Sequence, residues 1–241
     1  MTKYLIFVLL SITLLWGCKE TKISAPAKPL DVNDLSSLVL KAINGDRKAN
    51  DSLSGLIETE LIENAAYNSL TVDSFSVDTL KFFYVLLEYP NPIFNRLAFY
   101  DDKTNCYLID KSLNGKISVD VLEVQELKFL KVIESFLVKD TLEVIRLSFY
   151  KNIAQTIKLV YRNFAQLKTP KQTFIQTITS IAGDTIKTKL TVPKKVKITS
   201  EEDFFFYDGI ENYYKSSNSL FDSLVIKEIN NFEIETHKPN I

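Results

Sequence analysis

Few side chains in this sequence can do covalent or metal chemistry. There are two cysteines and one histidine in 241 residues. His237 lies close to the C-terminus, where chains are usually poorly ordered, so it is expected to be a solvated terminal residue and not a catalytic base. Cys106 opens the strand-like run 104–109 and is expected to be a buried, inert thiol. One internal cysteine and one terminal histidine fall short of the four ligands of structural zinc. The six glycines, at 17, 45, 55, 115, 183 and 209, never come closer than ten residues. Neither a phosphate-binding loop nor a dinucleotide fingerprint can be written with that spacing. Thirty carboxylates leave an acid-pair hydrolase as an alternative. That chemistry needs two carboxyls about 5–10 Å apart across a cleft, and no local spacing marks such a pair. The expectation is a protein that is not an enzyme and carries no cofactor or metal.

Two clusters could bind without reacting. Asp101-Asp102-Lys103-Thr104-Asn105 is rich in oxygen. It lacks the alternating acids, glycine and terminal glutamate of a calcium loop, so it reads as a turn. Phe204-Phe205-Phe206-Tyr207 and Tyr213-Tyr214 are dense in aromatics. Phe204, Phe206, Tyr213 and Tyr214 are the candidate ligand contacts, since aromatic rings can stack on sugars or grip apolar groups. Consecutive residues of a strand face opposite sides, so at most half of such a run shares one surface.

The elements that position these groups begin with an address. Lys3 precedes an apolar run from Tyr4 to Trp16, which Gly17-Cys18 closes before the polar Lys19-Glu20-Thr21-Lys22. The run is shorter than the ~20 apolar residues of a spanning helix and matches a signal-peptide core. The segment resembles a bacterial lipoprotein signal, with Leu15-Trp16-Gly17-Cys18 in the place of the lipobox. That resemblance implies lipidation at Cys18, removal of residues 1–17 and anchorage to a membrane by acyl chains. Glu20, standing where an aspartate would imply inner-membrane retention, implies the outer membrane, with periplasmic and surface orientations both open. Pro26 and Pro29 make residues 18–30 a short extended tether.

Val32, Leu35, Leu38, Val39, Ala42 and Ile43 recur at helical spacing behind Asp31. A second helix is expected over 51–68, capped by Asp51, with Leu53, Leu56, Ile57, Leu61 and Ala65 as its stripe. From about Thr79 the period becomes two and β-branched and aromatic residues dominate. Ile145, Leu147 and Phe149 alternate with Arg146 and Ser148. Ile186, Thr188, Leu190 and Val192 alternate with Thr185, Lys187, Lys189 and Thr191. Further strands are expected over 196–199, 224–229 and 232–236.

The predicted fold is mainly β (α+β). A helical segment over 31–70 leads into one antiparallel domain over 71–241, a long meander, half-barrel or sandwich packed with the helices. Such a half-barrel lidded by helices would be similar to lipoprotein-carrier and lipoprotein-receptor proteins of the outer membrane. The formal net charge is −1 with no basic stripe, so nucleic acid is not an expected partner. The function expected is non-enzymatic binding or scaffolding of a protein or glycan at the envelope. The alternative is a carrier or sensor of an apolar ligand held between sheet and helices.

Overall fold

The computed structural model describes residues 30–58, 66–77, 80–138, 141–194, 197, 198, 200–216, 219 and 221–227. Cys18, His237 and the run 232–236 lie outside these residues. Helix α1 (Val32–Ile43) starts where Asp31 accepts a hydrogen bond from the Asp34 backbone N–H at 2.8 Å. It buries Leu35, Val39 and Ala42. It ends before Gly45, whose φ of +92° suits a residue without a Cβ.

The second helix differs from expectation. Helix α2 (Arg47–Ser52) is capped by Asp46, not Asp51, and stops at Ser52. Ser54 and Gly55 both adopt positive φ, which no continuing helix allows. Leu53, Leu56 and Ile57 still enter the core. Buried Asn50 holds this return by accepting from Ile57 N–H at 2.9 Å and donating to Ile57 C=O at 2.8 Å. Its side chain replaces the backbone partner that a longer helix would have supplied.

Four strands, β1 (Ser69–Val77), β2 (Leu80–Glu88), β3 (Arg96–Tyr100) and β4 (Cys106–Asp110), form one sheet in that order. Eight more form a second sheet, also in chain order. They are β5 (Lys116–Val124), β6 (Leu127–Val138), β7 (Leu142–Ile153), β8 (Thr156–Lys168), β9 (Thr173–Ala182), β10 (Thr185–Thr191), β11 (Glu202–Asp208) and β12 (Tyr213–Lys215). Every neighbouring pair is antiparallel. The molecule is therefore mainly β, a long meander in two sheets behind an N-terminal helix pair, and it is not closed into a barrel.

The layers explain the sequence pattern. One face of the first sheet, with Phe83, Val85, Leu87, Ala98 and Tyr100, packs under α1 and α2. Its other face, with Phe82, Tyr84, Leu86, Leu97 and Phe99, packs on Leu130, Val132 and Tyr150 of the second sheet. Strands β2 and β3 are thus buried on both sides, and a strand so placed reads as a continuous apolar run.

Two strand expectations fail. Residues 221–227 are helical, and Phe221 and Val225, one turn apart, pack on Leu142, Val144, Leu167 and Phe174. The expected strand over 224–229 is therefore replaced by a helix where it is described. Lys197 and Ile198 lie in no strand.

Candidate functional site

Two features stand out, a polar seam between the sheets and an apolar hollow on the second sheet. The seam joins the end of β4, the β4–β5 connection and strands β6 to β8. Asp110 accepts from Ser112 N–H at 2.8 Å and Ser112 Oγ at 2.6 Å, and it also meets Tyr150 OH and Arg162. Arg162 Nε donates to Ser148 Oγ at 2.8 Å and Arg162 Nη2 to Tyr150 OH at 2.9 Å. Glu134, fully buried, accepts from Asn114 N–H at 2.7 Å and from Arg146 through both its oxygens.

Burial alone would raise the Asp110 carboxyl. The Arg162 guanidinium, with the Ser112 and Tyr150 hydrogen bonds, outweighs that and holds it below its ordinary range. Burial and the Asp110 charge push the Tyr150 hydroxyl well above its own. Each carboxylate faces a guanidinium and hydrogen-bond donors. Such a seam fixes one sheet against the other and offers no free base or nucleophile.

The hollow has a volume of about 560 Å³, within the range of small-ligand and peptide-anchor pockets. Leu122 and Val124 of β5, and Ile145, Leu147 and Phe149 of β7, form its apolar wall. The strict alternation of β7 turns these three away from Arg146, Ser148 and Tyr150, which face the seam. Lys131 and Gln166 are the polar side chains beside that wall. The opposite wall is the run 175–181 of β9, seven consecutive residues. Consecutive residues from both faces of a strand line one cavity only when the strand presents its edge.

That edge is open because β8 and β9 part company. Their ladder holds only Gln166↔Ile175, Leu167↔Phe174 and Lys168↔Thr173. Beyond it, β9 pairs with β10 alone.

The sequence-based candidates are divided by the structure. Phe204 and Phe206 are 41% and 59% exposed, with ring centroids 6.5 Å apart and planes 15° apart. Lys187 Nζ lies 5.4 Å from the Phe204 centroid. Between them, Phe205 points into the core. Tyr214 is buried there too, with its hydroxyl donating to Gly183 C=O at 2.9 Å. Tyr213 donates to Arg162 C=O at 3.2 Å. Only Phe204 and Phe206 share a surface.

The Asp101–Asn105 loop is a turn joining β3 to β4. Asp101 Oδ1 accepts from the N–H groups of Lys103 and Asn105, both at 2.8 Å. Burial pushes the Cys106 thiol up, away from the thiolate that reacts. Among the described residues no group of three His, Cys, Asp or Glu could hold a metal ion. No helix among them is long and apolar enough to cross a membrane.

The space under the helices, where the apolar-ligand alternative placed its pocket, is occupied by packed side chains of α1, α2 and the first sheet. The hollow lies instead on the second sheet. Its apolar alternation in β7 was readable. The parting of β8 from β9 was not, since both strands read as ordinary members of a meander. No protein-family model, no curated protein and no solved structure matches the chain.

Proposed function

We propose that this is a lipid-anchored, non-enzymatic binding protein of the bacterial cell envelope, held at the outer membrane through Cys18, and that the hollow on the eight-stranded sheet is its binding surface. The observation that carries the reading is the continuous apolar wall of Leu122, Val124, Ile145, Leu147 and Phe149 beside an open strand edge. Buried apolar surface contributes roughly 25 cal/mol per Å², so such a wall supports binding without any charged partner. The closed hydrogen bonding of the seam and the absence of glycine-rich loops support a non-catalytic role. The exposed Phe204–Phe206 stack favours a second contact with protein or glycan, as a scaffold would need.

The test is fluorescence of the apolar dye bis-ANS with the chain from Lys19 onward, purified without detergent. Binding is expected, and Leu147→Lys and the rim variant Ile175→Lys should each weaken it about tenfold or more, because a lysine in an apolar site must be desolvated. Phe204→Ser/Phe206→Ser should leave it unchanged. Dye binding indifferent to Leu147 and Ile175 would sink the assignment of the hollow. Co-purified lipid found in it by native mass spectrometry would favour the carrier alternative.

A further inference from the structure

We propose that the occupant of the hollow is an extended apolar segment of another protein, added as a strand along β9. This rests on the hollow being the binding surface and names what binds there. From Gln176 to Ala182, β9 has β10 on one side and no strand on the other among the described residues. At roughly 3.3 Å per residue this edge runs about 20 Å. Its backbone N–H and C=O groups on that side are a template for a further strand.

Sheet edges are usually blunted by lysine, acids or proline. The residues Gln176-Thr177-Ile178-Thr179-Ser180-Ile181-Ala182 include none of these. The outer strand β5, by contrast, carries Lys116, Asp120 and Glu123. Thr177, Thr179, Ser180 and Ala182 are exposed, so the edge is accessible. The hollow then supplies what a bare edge lacks. An incoming strand bonded to β9 directs alternate side chains onto the Leu147 and Phe149 wall. In strand addition the main chain gives affinity and the alternate pockets give specificity. A lipid acyl chain would fill the apolar wall and leave the β9 backbone groups without partners. The geometry therefore favours peptide over lipid.

The experiment is hydrogen exchange of the full lipidated chain in phosphatidylcholine nanodiscs. Two probes are compared. One is a soluble peptide of alternating valine and threonine with lysine ends; the other is the same peptide N-methylated at alternate residues, which cannot donate along one edge. The first should slow exchange within Gln176–Ala182 about tenfold, and the second should not. Equal slowing by both, no slowing by either, or protection already complete from the surrounding phospholipid would each overturn strand addition. The bis-ANS measurement with Ile175→Lys reports separately on the hollow, so failure of the peptide and failure of the site are distinguishable.

Discussion

Arg146 grips the fully buried Glu134 from two sides, Nε to Oε2 at 2.8 Å and Nη2 to Oε1 at 2.6 Å. The pair bridges β6 and β7 directly, Glu134 being the register partner of Arg146. Removing the cation leaves a carboxylate in the interior with only Asn114 N–H as partner. Arg146→Met should cost about 3–5 kcal/mol, and Arg146→Met with Glu134→Leu should recover most of that. Urea unfolding of the three proteins checks it. A double variant no more stable than Arg146→Met would mean that the pair is not the seam's main tie.

Asp110 should make the fold acid-sensitive. Its folded pKa is lowered, so its contribution is fully present above the ordinary carboxyl range near pH 4 and is lost as pH falls through the lower folded value. Asp110→Asn should lower the urea midpoint at pH 7 and flatten its fall below pH 4. Parallel pH profiles for the two proteins would contradict this.

Gly115 and Gly183 both adopt positive φ, at 63° and 56°, but their surroundings differ. A Cβ on Gly115 would lie 2.2 Å from Ser135 O and 2.5 Å from Phe136 Cβ, whereas one on Gly183 meets nothing within 4 Å. Gly183→Ala should cost about 1–2 kcal/mol, the ordinary penalty of the left-handed conformation. Gly115→Ala should cost clearly more, because β5 and β6 must move apart. Thermal melts of the two variants, compared side by side, decide it.

Cys18→Ser tests the anchor. The proposed lipidation predicts that the variant loses its acyl mass and its normal processing, read by mass spectrometry of the N-terminal peptide. A Cys18→Ser chain that is processed and held at the membrane like the wild type would refute it.

Legibility in the sequence followed the range of the interaction. Helix α1 and its Asp31 cap, the Asp101–Asn105 turn and the alternation of Ile145, Leu147 and Phe149 are local, and each appears as read. β1 and the displaced α2 were hidden because Asp51 to Asn68 carries a helical stripe that tertiary packing overrides at Ser54-Gly55. The 221–227 helix was missed because Leu224, Val225 and Ile226 are as common in strands as in buried helices. The seam joins Asp110, Glu134, Arg146 and Arg162, which no short-range pattern links. Its members could be paired only once strand register was fixed.

The order of the strands has a kinetic consequence. In both sheets each strand hydrogen-bonds the strand just before it and the strand just after it, and nothing else. A polypeptide emerging N-terminus first can therefore zip up hairpin by hairpin. Each closure spans a short stretch of chain and carries a small entropic cost. The long-range bonds of Asp110 to Tyr150 and Arg162 can form only after β7 and β8 have arrived. They would act as a late latch that locks two already assembled sheets together.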